Sequence, residues 1–397
     1  MKPFGFSSQL SPFSMTRVRA EICNFKVGQP GRKLIPKRML DDALTHTLST
    51  NNDPFIYQYP TFDGPIHVRL KLAQFLSNSG KYPSNIHPDS ICLSFGNSHA
   101  ISLIVRVLTR PGDVVIVEEL TYFLIYQILK DAHLTVHLCP MSETGIDIDK
   151  LSLLVDKFSP KLVYVNPIHQ NPLGTCLSVS DRNRLVALSE QKDFLIVSDE
   201  PYVLLDFESS EQTRSLSRMN SHRVICCGTF SKLIAPGLRC GWILAAPDLV
   251  RKFCSEGAMH SGGGPPSLIS QTVCSLIETG QLESHRIELC AQLAARRDAM
   301  LHALAASTIS RSATWTVPAG GYFVYLKFNQ LNTETFLQYV IRKDIPVRFL
   351  QSAACSSSEV TNGLRLSFSF YDTDEISLGI QILASALEEF LLVDTTA

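Results

Sequence analysis

Seven short apolar runs, at residues 91–96, 114–119, 134–138, 162–166, 194–199, 224–229 and 241–246, alternate with longer stretches of helical periodicity. Examples of the latter are Ile101 to Leu108, Leu120 to Lys130 and Asp181 to Lys192. A short continuous apolar run is a strand buried on both faces, because a half-exposed strand would alternate with polar residues. Strands separated by helices in turn imply a mostly parallel sheet sandwiched by helices, an α/β fold. Ligands of such sheets bind where the strands end, at their C-terminal edge.

Past about residue 280 the pattern changes. A long helical segment, Leu282 to Ala306, leads through Gly320-Gly321 into a strand, Tyr322 to Phe328. A helix near 333–343, short strands at 346–350 and 364–370, and an amphipathic helix at 374–391 complete the chain. These elements predict a smaller α+β part that the N-terminal segment joins. The expected division is a large domain, 46–284, and a small domain made of 1–45 together with 285–397. A chain of 397 residues, 45% of them hydrophobic, has enough apolar surface for both cores.

Composition excludes several partners. A net charge of −1 offers no basic face to nucleic acid or an anionic membrane. No run approaches the roughly 18 uncharged apolar residues of a membrane span; Ala100 to Leu108 is interrupted by Arg106. The eleven cysteines contain no CxxC pair, and Cys226 and Cys227 stand together in a buried strand, so they read as free thiols of a reducing, cytoplasmic compartment. The first twenty residues carry Lys2, Arg17 and Arg19 but no acid, which keeps a mitochondrial transit peptide as the alternative to an N-terminal arm. His133 and His137 would face one metal only on a helix; on a strand they stand roughly 13 Å apart, so no metal site is expected.

The polar residues gather where the runs end. Strand 224–229 closes on Thr229, followed by Ser231, Lys232, Pro236-Gly237 and Arg239. Lysine condenses with carbonyls to a Schiff base when its pKa is depressed, and arginine presents a planar fork to a phosphate. In isolation the segment also reads as a surface lysine in a turn. Strand 91–96 runs into Gly96-Asn97-Ser98-His99, a small polar helix start whose free N–H groups suit an anion. Strand 162–166 ends in Asn166-Pro167-Ile168-His169-Gln170-Asn171-Pro172-Leu173-Gly174, a rigid rim loop. Strand 194–199 ends in Asp199-Glu200-Pro201-Tyr202. A buried carboxylate there needs a cation such as a protonated pyridine nitrogen, although an acid capping a helix is the plainer alternative. The last strand alternates Leu364, Leu366, Phe368 and Phe370 with Arg365, Ser367 and Ser369, so its polar face meets either solvent or a cleft.

In this order, with Val27-Gly28-Gln29-Pro30, Tyr57-Gln58-Tyr59 and Glu119-Leu120-Thr121-Tyr122 ahead of them, these motifs resemble the fold-type I, class I/II aminotransferases over most of the chain. The resemblance implies pyridoxal 5'-phosphate as cofactor, with Lys232 as the Schiff-base lysine. It implies Asp199 as partner of the pyridine nitrogen, and Asn171 and Tyr202 as donors to its phenolic oxygen. Tyr122 would stack on the ring, while Asn97, Ser98, Thr229, Ser231 and Arg239 would surround the phosphate. Arg365 would bind the substrate α-carboxylate beside Gly28 and Asn171. Tyr59 matches a tyrosine that reaches the neighbouring subunit's phosphate, which implies a homodimer. Departures are Leu120 for a common proline, Ser98-His99 for Gln or Ala, and no arginine within His260 to Pro266; the last argues against strict aspartate-type specificity unless Arg17, Arg19 or Arg32 substitutes.

The expected activity is transfer of an amino group between an α-amino acid and a 2-oxo acid. A lyase, a γ-substitution or cyclisation enzyme, or another biosynthetic enzyme on the same fold would share every one of these motifs. A transcription regulator would need a DNA-binding helix-turn-helix ahead of Val27-Gly28, where only about 25 residues stand.

Overall fold

A computed structural model describes residues 22–50, 54–208, 210–219, 222–351 and 361–394. Arg17, Arg19 and the proposed N-terminal arm or transit peptide lie outside the described residues.

The seven apolar runs form one sheet. Its strands are β1 (Ile91–Ser94), β2 (Val114–Glu118), β3 (Thr135–Cys139), β4 (Leu162–Val165), β5 (Leu195–Asp199), β6 (Val224–Thr229) and β7 (Gly241–Leu244). They lie in the order β1-β7-β6-β5-β4-β2-β3. Only β7 runs against its neighbours, β1 and β6. The C-terminal ends of the other six therefore share one edge of the sheet.

Successive residues of each strand point to opposite faces, and both faces are covered. Val115, Val117, Tyr164, Val197 and Ile225 share a core with Ile101 and Ile104 of the helix Asn97–Leu108 and with Phe253. Ile116, Val163, Ile196 and Cys226 face the other core, with Leu185 of the helix Val179–Lys192 and Leu276 of Ser267–Glu278. Burial on both sides is why these strands are apolar without alternation.

A four-stranded antiparallel sheet contains β8 (Ala313–Trp315), β9 (Phe323–Phe328), β10 (Leu350–Gln351) and β11 (Gly363–Ser367), ordered β10-β11-β9-β8. The long helices Gln281–Ala306 and Thr373–Asp394 pack against each other nearby. By length and composition Thr373–Val393 would reach across a bilayer; its stripe of Ile376, Ile380, Leu383 and Leu387 is instead buried in the protein. Cys23–Asn24 of the N-terminal segment pairs in parallel with Val347–Arg348.

Three expected elements differ. The single strand at 346–350 is two short ones, because Val347–Arg348 pairs with the N-terminal segment whereas Leu350–Gln351 turns to β11. The last strand stops at Ser367, whose N–H donates to Phe25 O at 3.0 Å, with one further bond on the neighbouring strand's side, from Phe368 N to Tyr322 O at 3.0 Å. The helix expected from Leu120 begins only at Ile125, after a turn in which Ile125 N–H bonds Tyr122 O at 2.9 Å.

Ten cysteines among the described residues are free thiols. His137 lies in β3 and stacks on Phe158, while His133 precedes that strand with φ 55°. Among the described residues no group of three metal-ligating side chains comes together.

Candidate active site

A cavity of about 190 Å³ opens at the C-terminal edge of the large sheet, between it and β9–β11. Gly28, Asn97, Ser98, Tyr122, Asn171, Asp199, Tyr202, Thr229, Ser231, Lys232, Arg239 and Arg365 all line it. Tyr59 does not: it is 84% exposed and borders a separate groove with Phe62 and His260.

Lys232 follows the end of β6, and Nζ donates to Gly28 O at 2.5 Å. Its backbone carbonyl takes the Tyr322 hydroxyl at 2.7 Å, which fixes the turn from the other side. Burial, then the charge of Arg365, pushes the amine down to about 8, against the pull of Asp199. A lysine so placed spends a substantial fraction of its time as a neutral amine near physiological pH.

Asp199, the last residue of β5, is 3% exposed. Oδ1 accepts from Asn97 Nδ2 at 2.5 Å and Oδ2 from the Tyr164 hydroxyl at 2.6 Å. Burial raises its pKa, and those two hydrogen bonds oppose the rise. Neither donor is a cation, and the charge of Lys232 acts on this buried carboxylate without a hydrogen bond between them.

At one end of the cavity, Gly96 (φ 88°) turns the chain from β1 into the helix Asn97–Leu108. A Cβ on Gly96 would come 3.1 Å from Arg239 Nη2, so glycine lets the guanidinium lie over the helix start. Arg239 also donates to Phe95 O at 2.6 Å. His99 is tied to the same turn, its Nδ1 accepting from Phe95 N at 3.4 Å. Thr229 Oγ1 donates to Ser231 Oγ at 3.0 Å and accepts from Ser231 N at 3.1 Å. Hydroxyls, helix N–H groups and one guanidinium together form an anion cradle.

Arg365 marks the other end. It is 4% exposed and lines the cavity, while Ser367 and Ser369 on the same face are buried against the N-terminal segment, where Ser369 Oγ donates to Gln29 O at 2.9 Å. Arg365 donates to Asn171 Oδ1 and to Lys26 O, each at 2.7 Å, and its guanidinium lies 4.1 Å from the centroid of Phe323. With its oxygen committed to Arg365, the Asn171 side chain keeps its amide nitrogen as the end able to donate. Arg32 lies in a short helical turn outside this cavity.

The Asn-Pro loop is held from beneath. Asn166 Nδ2 donates to Asp199 O at 2.8 Å, and its Oδ1 accepts from Asn171 N at 3.1 Å. Buried Glu118 accepts from Asn166 N at 3.1 Å and Gln170 Nε2 at 3.0 Å. Burial pushes the Glu118 carboxyl up to about 8, with the Gln170 hydrogen bond opposing. In the cavity wall, Tyr202 packs its ring 5.2 Å from Tyr322 and 5.8 Å from Phe323.

Sequence reasoning missed Tyr164, Glu118, Lys26 and Phe323. A tyrosine inside an apolar run carried the one usable signal, because a buried phenol needs a partner.

The residues fit a phosphorylated aromatic carbonyl cofactor. The cradle suits the phosphate, Asp199 is hydrogen-bonded to no cation among the described residues, and Asn97 Oδ1 is buried without a partner beside it. The chain matches the profile described as Aminotransferase class I and II over residues 21–383. It is 30% identical to aromatic-amino-acid aminotransferase 1 of Thermococcus litoralis, covering 93% of this chain and 89% of that one. It is 27% identical to the 2-aminoadipate transaminase of Thermus thermophilus, over 94% and 92% of the two chains. Among solved structures, the kynurenine aminotransferase of Pyrococcus horikoshii in complex with PMP superposes with a TM-score of 0.84 at 30% identity, over 94% of this chain and 92% of that one. The chain therefore belongs to the class I and II aminotransferases, which use pyridoxal 5'-phosphate.

Proposed function

We propose that the chain moves amino groups from α-amino acids to 2-oxo acids with Lys232 as both covalent anchor and proton carrier. Asn97, Ser98, Thr229, Ser231 and Arg239 hold the phosphate of the cofactor. Asp199 pairs with its pyridine nitrogen and keeps that nitrogen protonated, while Tyr164 and Asn97 hold the carboxylate in place. Asn171 and Tyr202 donate to the phenolic oxygen, and Tyr122 covers the ring. When bound, pyridoxal 5'-phosphate supplies the electron sink that makes the Cα proton of an amino acid removable. Arg365, with Gly28 and Asn171 beside it, grips the α-carboxylate and so orients Cα toward Lys232. Lys232 Nζ takes the proton at Cα, a role suited to an amine whose pKa burial brings to about 8.

The observation that supports this reading is that one cavity is lined by the cradle, Asp199, Lys232 and Arg365, with hydrogen bonds running from Asn97 through Asp199, Asn166 and Asn171 to Arg365. The test is borohydride reduction of the purified yellow protein, followed by peptide mapping. The reading expects the cofactor on Lys232 and no attachment in Lys232→Ala; a label on another lysine overturns it. Mixing the protein with single amino acids and following the absorbance then identifies the donors.

Three coarser features belong to the same proposal. The protein is a homodimer in which Tyr59 and the glycine-rich loop 261–266 complete the partner's site; Tyr59 is exposed and packs on Gly262, 2.8 Å from where a Cβ would stand. The domains are 46–284 and 1–45 with 285–397, the helix Lys37–Thr50 crossing from one to the other. The compartment is a reducing one, the cytoplasm, in keeping with the free thiols.

A further inference from the structure

Lys232 is held at both its main chain and its amine, and one side chain reaches both: Tyr322. Tyr322 stands just ahead of β9, fully buried, its ring packed on Tyr202 and Phe323, which line the cavity. Its hydroxyl donates to Lys232 O at 2.7 Å, and its ring centroid lies 5.7 Å from Lys232 Nζ. The same Nζ donates to Gly28 O at 2.5 Å. The next carbonyl along, Leu233 O, is met at 3.0 Å by His285 Nε2 from the helix Gln281–Ala306. The turn after β6 closes with Ile234 N on Phe230 O at 2.7 Å, so the carbonyls of Lys232 and Leu233 depend on side chains from beyond residue 280.

A short turn does not by itself fix where its side chains point, because a carbonyl that finds no partner inside the protein turns to water. The bond from a buried phenol removes that freedom at Lys232, and the phenol is itself locked among aromatic neighbours. The ring contributes separately. Nζ becomes an ammonium when it takes the Cα proton, and the guanidiniums of Arg365 and Arg239 disfavour that charge while Asp199 favours it. A π-face within about 6 Å attracts an ammonium, more strongly where water is excluded. The charged amine is thereby kept near Gly28 O and the ring, at one point from which it can return the proton.

We propose that Tyr322 is a positioning residue for the proton transfers of Lys232: its hydroxyl anchors the lysine's main chain and its ring face steadies the ammonium. The inference rests on the reading of Lys232 as the proton carrier. Burial holds the Tyr322 phenol well above the ordinary tyrosine range, so it stays a hydrogen-bond donor throughout and exchanges no proton itself.

The holoenzyme is mixed, in single turnovers, with whichever standard amino acid reacts fastest, unlabelled and deuterated at Cα, while the absorbance of the bound cofactor is followed. Equilibrium dialysis gives the cofactor Kd alongside. Tyr322→Phe keeps the ring and loses the hydroxyl. Its rate per bound cofactor should fall by about tenfold, because a small misplacement of a reacting group is costly. The amino-acid concentration giving half the maximal rate, and the cofactor Kd, should stay within about threefold of the parent. The deuterium isotope effect should be at least as large as the parent's, since the slowed step is the one that moves the Cα proton. Tyr322→Leu, which lacks ring and hydroxyl, should be slower still. A parent-like rate per bound cofactor in either variant, a smaller isotope effect, or a loss that appears only as weaker cofactor binding overturns the inference alone. A Lys232→Ala protein that converts the amino acid at the parent's rate overturns the proton-carrier reading, and this inference with it.

Discussion

In the proposed function substrate recognition turns on Arg365, whose fork is oriented by Asn171 Oδ1 and Lys26 O. A charge-assisted contact of this kind is worth on the order of 1.5–3 kcal/mol. Lysine cannot reproduce the planar pair of donors, so Arg365→Lys should lose about ten- to a hundredfold in kcat/KM toward amino acids. Cofactor content should be unchanged, since the cradle lies at the far end of the cavity; steady-state kinetics and the absorbance of the bound cofactor check both halves. Tyr164 invites a different experiment. Its hydroxyl is one of the two donors that oppose the effect of burial on Asp199. Tyr164→Phe should raise the Asp199 pKa further, weaken its hold on a protonated ring and lower kcat by about tenfold. Equal kcat in parent and variant would show that Asn97 suffices.

Among the elements, the Asn-Pro loop is the one whose support is titratable. Glu118 beneath it has its carboxyl pushed up to about 8 by burial, against about 4.3 in an unfolded chain. Folding therefore favours the protonated form. The stability this contributes is complete below about pH 4 and is lost as pH rises toward about 8. Glu118→Gln mimics the protonated acid and removes that dependence. Between about pH 5 and 8 the parent's Tm should fall more than the variant's, as thermal melts at several pH values would reveal; parallel curves would mean that Glu118 is ionised in the fold. This layer also marks where sequence reading stops. The strands and the polar residues at their ends were legible because both signals are local: a run of apolar residues, then Asn166, Asp199 or Thr229. Tyr164 was not, because a phenol inside such a run looks like one more large side chain. Only the register that sets it level with Val197, on the face of Asp199, gives it a role. Tyr122 and Phe123 were drawn into a helix by the apolar spacing that begins at Leu120, yet they belong to a turn at the cavity wall. Lys26 escaped notice for a similar reason, as its significance depends on a neighbour 339 residues away.

At the scale of the molecule, the proposed dimer makes a prediction that no single-subunit site can meet. If Tyr59 serves the partner's cofactor, then Tyr59→Phe and Lys232→Ala dimers, each weak or inactive alone, should regain activity when their subunits are exchanged. A hybrid dimer would contain one site with both residues intact. Confirmed exchange without any gain in rate would place Tyr59 outside the partner's site. The groove it borders, with Phe62 and His260, would then be ordinary surface.

The pairing of Cys23–Asn24 with Val347–Arg348 has a consequence for how the protein is made. As the chain leaves the ribosome, β1 to β7 are complete once residue 244 has emerged, and they can collapse into a sheet with their helices. The N-terminal segment must wait for Val347–Arg348, and Gly28 for the strand that brings Arg365, since loop closure over that length precedes any reward in contacts. The turn at Lys232 and the polar cluster around Arg239 can thus form before Arg365 is in place. A nascent chain arrested shortly before β11 would be able to capture the cofactor while remaining unable to grip an amino acid. Cofactor capture by such an arrested chain, followed through the absorbance of the bound cofactor, is the measurement that checks whether loading precedes catalytic competence.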